Sequence, residues 1–212
     1  MIMIDEQYVD SLYGEDADLM RAKQGIAAQG MPDISVADGY GRLLTMLVRM
    51  NGAKEALEVG ALGGYSGICL ARGLAEGGRL TSLELKAEYA DLAKLHMTAA
   101  GLGEKVDYMI GDARESLARL KEAGRRFDFF FIDADKEGYP IYLNYAIALA
   151  NPGAVIIGDN VLLRGRTTNL DKAGPAVQAV RAFNQQIADD PRLMSTVLPG
   201  YDGLAIAIVK SS

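Results

Sequence analysis

Apolar residues in this chain gather in short continuous blocks, separated by longer stretches in which they recur every third or fourth position. Runs beginning at Glu55 (EALEV), Arg79 (RLTSLEL), Lys105 (KVDYMI), Phe129 (FFFI) and Ala154 (AVII) read as strands. The last two are almost wholly apolar, as strands covered on both faces are, so they predict the centre of a parallel sheet. Between the blocks, residues 85–100, 114–123 and 139–149 predict crossover helices, and the alternation predicts a doubly wound α/β fold. Upstream, Tyr8, Leu12, Leu19 and Ile26 lie among many charges and predict one or two amphipathic helices. Ser35 reads as an N-cap with Asp38 three residues on. It would open a helix in which Val36, Tyr40, Leu43, Leu44, Leu47 and Val48 keep the period until Asn51-Gly52. Residues 161–174 are polar and predict a loop, a helix follows from Pro175, and MSTVLP, a turn at 200–203 and LAIAIVK predict a closing hairpin. With no repeat or linker, 1–212 reads as one domain, a helical extension at 1–33 and a core at 34–212.

Two of these strands stop abruptly at acids: Asp133 after FFFI, and Asp159 with Asn160 after AVIIG. Ligands of open parallel sheets bind outside the carboxyl ends of the strands, so the three side chains converge on one crevice. Their oxygens suit a hard divalent cation: Mg²⁺ foremost, with Mn²⁺ and Ca²⁺ open. EALEVGALGGYSG, from Glu55, adds a glycine-rich turn in which Gly60, Gly63 and Gly64 permit positive φ and close approach of a ligand. A dinucleotide fingerprint needs glycine where Leu62 stands, and Glu58 is unsuited to a diphosphate. S-Adenosylmethionine, with an ammonium group and no phosphate, fits better. Acceptors near Glu58 and Gly60 suit its amino group, and Ser66 at the helix start suits its carboxylate. Glu84 ends the next strand, where an acid accepts from ribose hydroxyls. Asp112, with Gly111 and Ala113, ends the third, where an acid accepts from the adenine amine or else merely caps a helix.

These residues carry a resemblance. E-x-G-x-x-x-G-Y-S (from Glu58), D-A-D-K-x-x-Y (from Asp133) and G-D-N (from Gly158) resemble the cation-dependent O-methyltransferases, the group containing catechol and caffeoyl-CoA O-methyltransferases. The likeness runs from about Ile34 to Lys210. It implies a Rossmann-like class I methyltransferase fold: a seven-stranded, mostly parallel sheet with helices on both faces and a reversed final strand. It further implies metal ligation by Asp133, Asp159 and Asn160, with Lys136 as general base or as a cation that orients the phenolate, and Asp133 also near the cofactor's amino group. Glu58, Gly60, Ser66 and Glu84 match cofactor contacts, and Ile34 and Ala113 match weaker ones through backbone. The expected acceptor is a small aromatic with two adjacent hydroxyls, and the expected assembly a homodimer. Two rival readings stay open: a metal-independent class I small-molecule methyltransferase, and a non-catalytic cofactor-binding protein.

Composition narrows the field. A chain of 212 residues buries roughly 70% of its unfolded surface, enough for a substantial core. A net charge of −6 argues against a duplex nucleic-acid partner. No run is long enough to span a bilayer, no apolar leader follows a basic start, and a lone cysteine allows no internal disulfide, so a cytoplasmic protein is expected. Cys69 and the single histidine, His96, read as core residues, the latter on one helix face with Leu92 and Ala99. Asp135 reads as a cap for the helix that follows. Arg164 and Arg166 fall in the loop after Asn160, as substrate contacts or as solvated charges.

Overall fold

The structure, a computed structural model, describes residues 5–32 and 34–211. Three helices come first: α1 (Asp5–Ser11), α2 (Ala17–Ala28) and α3 (Asp38–Asn51). Strand and helix then alternate through β1 (Glu55–Val59), α4 (Tyr65–Gly73), β2 (Arg79–Glu84), α5 (Ala87–Ala99), β3 (Val106–Ile110), α6 (Ala113–Glu122), β4 (Phe127–Ile132), α7 (Tyr139–Leu149) and β5 (Ala150–Asp159). Helix α8 (Pro175–Asp189) leads to the hairpin of β6 (Leu193–Leu198) and β7 (Leu204–Val209). The seven strands form one sheet in the order β3-β2-β1-β4-β5-β7-β6. Pairings from β3 through β5 are parallel, and β7 runs antiparallel to both β5 and β6. The expected doubly wound architecture and closing hairpin are both present.

The apolar runs explain the layering. Along β4, Phe130 and Ile132 enter one core with Leu143 of α7 and Phe183 of α8. Phe129 and Phe131 enter the other, with Leu44 of α3 and Ile68 of α4. Phe127 breaks the alternation and joins the first core, because the β4–β5 register shifts between Phe127 and Phe129. Each fully buried phenylalanine contributes roughly 2–3 kcal/mol by burial. A strand wanted by both layers must be apolar at every position, and this one nearly is.

The N-terminal segment departs from its sequence reading. Helix α3 starts at Asp38 with Ala37 as N-cap and no side-chain cap, so Ser35 caps nothing. Val36 is buried in the same core as Tyr40 and Leu44 but lies ahead of the helix, which imitates the helical period one turn too early. Helix α2 buries Ala22 and Ile26, whereas α1 buries no side chain. Among the described residues no helix is long and apolar enough to cross a membrane.

Winding reverses between β1 and β4, so the chain leaves these neighbours toward opposite faces and opens a crevice at their carboxyl ends. Asp133 N still donates to Val59 O at 3.0 Å, one residue past the ladder. The two strand ends that carry the candidate site are therefore held edge to edge.

Candidate active site

A cavity of about 580 Å³ opens at this crevice, within the usual range for small-ligand sites. Its wall includes Ile34, Ser66, Glu84, Asp112, Ala113 and Asp133, which stand far apart in the sequence. The glycine-rich turn forms its floor. Gly60 (φ +98°) and Gly64 (φ +86°) take positive φ as expected, but Gly63 does not; Leu62 (φ +45°) does instead. Gly63 is needed for space: a Cβ there would lie 2.2 Å from Cγ1 of Ile26, so α2 packs directly on the turn.

Two side chains from the neighbouring α/β unit hold this turn. Glu84 Oε2 accepts from the backbone N–H groups of Ala61 and Leu62, each at 3.0 Å, and Oε1 accepts from Lys86 N at 3.0 Å. Glu84 thus positions the turn as well as lining the cavity. His96, buried on α5, has Nδ1 2.7 Å from Gly63 O, while its Nε2 edge fits against Gly25 of α2. It is a packing residue, as read from the sequence, but it also ties α5 to the turn and to α2. Helical spacing reveals which face a residue shares, not that a carbonyl thirty-three positions earlier will meet it.

Glu58 sits one layer behind the wall. It is 1% exposed, Ser66 Oγ lies 2.5 Å from Oε1, and Ser82 Oγ lies 2.5 Å from Oε2. Burial pushes its carboxyl up to about 7 against those hydrogen bonds. Asp112 N-caps α6 by accepting from Arg114 N at 2.7 Å, and it also lines the cavity. Asp135 does not cap with its side chain; its carboxylate accepts from Tyr142 Oη and lies 3.7 Å from Arg114.

Beside the cavity, and joined to it through Asp133, lies a second group. Lys136 Nζ donates to Asp133 Oδ1 at 3.0 Å and to Asn160 Oδ1 at 3.2 Å, and reaches the Asp159 carbonyl at 3.4 Å. It also donates to Tyr139 Oη, which in turn donates to the Asp159 carbonyl at 2.8 Å. Tyr139, three residues after Lys136 in the same motif, was given no role from sequence, yet it is fully buried and braces the ammonium group. Asn160 adopts a left-handed conformation (φ +55°) and its N–H donates to Asp159 Oδ1 at 2.7 Å. Asp159 is 2% exposed; burial, then the charge of Asp133, push its carboxyl well above the usual carboxylate range. The Asp133 carboxylate and the Asn160 amide oxygen meet at the Lys136 ammonium, and the buried Asp159 carboxylate lies close enough to feel the charge of Asp133. That donor set fits a hard divalent cation. Among the described residues no group of three or more His, Cys, Asp and Glu could hold a metal.

The far side of this group is aromatic. Tyr40 Oη donates to Gly200 O at 2.6 Å, and its ring meets Tyr201 edge to face with centroids 4.8 Å apart. Burial, then the charge of Asp159, push the Tyr40 hydroxyl up to about 12. Helix α1 is latched to the same turn: Tyr201 Oη donates to Asp10 at 3.1 Å, and Arg42 pairs with Asp10 and stacks on Tyr13. Arg164 and Arg166 are exposed; Asp202 accepts from the Arg164 N–H, and Arg166 Nε folds back to Leu163 O at 3.0 Å.

Known proteins resemble this chain over nearly its whole length. Residues 11–210 match the family model described as O-methyltransferase. The catechol O-methyltransferase of Niastella koreensis is 39% identical, over 97% of this chain and 96% of its own, and that of Mycobacterium tuberculosis is 37% identical over 97% and 94%. Among solved structures, the O-methyltransferase from Bacillus cereus in complex with SAH superposes with a TM-score of 0.91 at 42% identity, covering 97% of this chain and 96% of that one. TomG from Streptomyces achromogenes, an O-methyltransferase involved in tomaymycin synthesis and crystallised with SAM, gives 0.90 at 35% identity, covering 99% and 100%. The chain belongs to the O-methyltransferase family, and its fold is that of the class I methyltransferases.

Proposed function

We propose that this O-methyltransferase carries the methyl group of S-adenosylmethionine to a hydroxyl of a small aromatic bearing two adjacent hydroxyls, with a divalent cation, Mg²⁺ foremost, held by Asp133, Asp159 and Asn160. The observation that carries the reading is the convergence of Lys136 with those three residues at the rim of the cavity, joined to it by Asp133. The SAH and SAM complexes of the B. cereus enzyme and TomG support the donor, and the two catechol O-methyltransferases support the acceptor class.

A phenol is only about one part in a thousand ionised at neutral pH, so the acceptor needs activation. A bound divalent cation supplies it by favouring the anion of a hydroxyl that it grips. The chain's own residues do the rest. Asp133 and Asp159 contribute two negative charges and Asn160 none, which balances the cation without quenching its pull on the acceptor. Lys136 Nζ, held at the acids by Asp133, Asn160 and Tyr139 Oη, would orient the phenolate as a cation or, in its neutral form after giving a proton to solvent, accept the phenolic proton. Glu84 and His96 fix the turn beneath the donor, so that alignment lowers the barrier to direct displacement at the methyl carbon. No covalent enzyme intermediate is required.

The test is methyl transfer from labelled S-adenosylmethionine to catechol and caffeic acid, with Mg²⁺ and with excess EDTA, for the wild type and Asp159→Ala. Transfer that disappears with EDTA, returns with Mg²⁺ and is absent from the variant supports the reading. Transfer indifferent to both sinks the cation assignment and leaves Asp133 and Asp159 as structural acids.

A further inference from the structure

Ser66 faces two ways. It lines the cavity, yet its hydroxyl lies 2.5 Å from Glu58 Oε1, while the Ser82 hydroxyl lies 2.5 Å from Oε2. A serine hydroxyl has one proton to give. If Glu58 is ionised it can only accept, both serine protons are drawn to it, and Ser66 shows the cavity nothing but lone pairs. A wall of that kind repels a carboxylate. If Glu58 keeps its proton, it donates to one serine, accepts from the other, and frees one hydroxyl proton to point elsewhere. Ser82 is completely buried, whereas Ser66 borders the cavity, so the freed proton is useful at Ser66.

The surroundings favour the protonated acid. Glu58 is 1% exposed, and none of the ion pairs among the described residues includes it. The titratable groups that act on it are Glu84 at the end of β2 and Asp133 after β4. Tyr108 on β3 and Cys69 on α4 feel its charge in turn, and none of the four is a cation. A buried carboxylate bonded only to neutral hydroxyls is costly, and taking up a proton relieves that cost. Burial accordingly holds the Glu58 carboxyl up at about 7. The 2.5 Å contacts accommodate a carboxylic acid as donor, since the oxygen positions do not fix which atom bears the proton.

We propose that Glu58 is held as the neutral acid and donates its proton to Ser66 Oγ, turning the Ser66 hydroxyl into the cavity as a donor for the amino-acid carboxylate of the nucleoside. Glu58 is thereby a positioning residue that acts through Ser66. The inference rests on the reading of this cavity as the S-adenosylmethionine site. It also gives binding a pH dependence of a specific sign: affinity falls as Glu58 ionises.

The experiment measures S-adenosylhomocysteine affinity by titration calorimetry from about pH 6 to about pH 8.5 for wild type, Glu58→Gln and Glu58→Ala. Comparing each variant with wild type at the same pH cancels the ligand's own titration. Linkage to a group titrating near neutrality predicts a fall of about ten-fold across this range in wild type. Glu58→Gln, whose amide donates to Ser66 and accepts from Ser82 without titrating, loses the slope. Glu58→Ala, which removes the acceptor that competes for the Ser66 proton, is equally flat. Alongside, difference infrared spectra of the unliganded protein near pH 6 should show a protonated carboxyl band that Glu58→Gln lacks. Equal slopes in wild type and Glu58→Gln, or absence of that band, overturn the proposal. Wild type that binds no S-adenosylhomocysteine but shows the band overturns the cofactor reading while leaving Glu58 neutral.

Discussion

Replacing Gly60 with alanine would test whether the cofactor turn and the acid-bearing strand end are one rigid unit. Gly60 has φ +98°, and a Cβ built there lies 2.1 Å from the carbonyl oxygen of Asp133 and 3.0 Å from its carbonyl carbon. The obstacle is backbone, held by the Asp133 N–H bond to Val59 O, so no side chain can swing aside. Restoring ordinary contact requires a separation of roughly 1 Å between the ends of β1 and β4. Positive φ costs a non-glycine residue about 1–2 kcal/mol and overpacking about 1–3 kcal/mol, together roughly 2–5 kcal/mol. For a chain of this size that lowers the melting temperature by roughly 5–15 °C. A displacement of about 1 Å at Asp133 lowers turnover by about a hundred-fold. Gly153→Ala is the control: φ is +81° there and nothing lies within 4 Å, so only the dihedral cost of about 1–2 kcal/mol remains. Scanning calorimetry and methyl transfer on both variants give the comparison. Equal melting temperatures for the two variants, with Gly60→Ala retaining activity within a few-fold of wild type, would refute the coupling.

Two further outcomes follow from contacts outside the cavity wall. His96→Ala leaves Gly63 O without its buried partner, and should cost about 1–3 kcal/mol in denaturant unfolding and raise the KM for S-adenosylmethionine several-fold more than it lowers kcat; an unchanged KM would show that the turn holds its shape without the imidazole. Asp16 caps α2 and its pKa is lowered by the Arg72 hydrogen bond, so its stabilisation is present above the ordinary value of 3.8 and lost as pH falls through the lower folded value. Asp16→Asn should therefore flatten the acid limb of α2 protection in hydrogen exchange, relative to wild type, while protection of the sheet is unchanged; parallel acid limbs in the two proteins would count against the pairing.

Some of the site was legible as sequence because its signal is local. A strand covered on both faces must be apolar throughout, so Phe129 to Ile132 and Ala154 to Ile157 announced central strands, and the acids ending them were bound to meet at one sheet edge. The loop after Asn160 and the helix from Pro175 were equally plain, since proline, glycine and polar runs act on the backbone where they stand. Other features depend on what packs from elsewhere. Val36 keeps the spacing of α3 although it lies outside the helix, because a buried position can be reached from helix or from irregular chain. Gly63 serves the approach of Ile26, so Leu62 carries the positive φ that the motif alone assigned to glycine. The sequence alone determined which residues have the chemistry of the site and which strands carry them. Only the tertiary structure decided that Glu58 stands behind Ser66, that His96 reaches Gly63, and that Lys136 is gathered in by Asp133, Tyr139 and Asn160. Periodicity encodes which face of an element is buried, whereas a hydrogen-bond partner is set by how separate elements are docked, which no local pattern records.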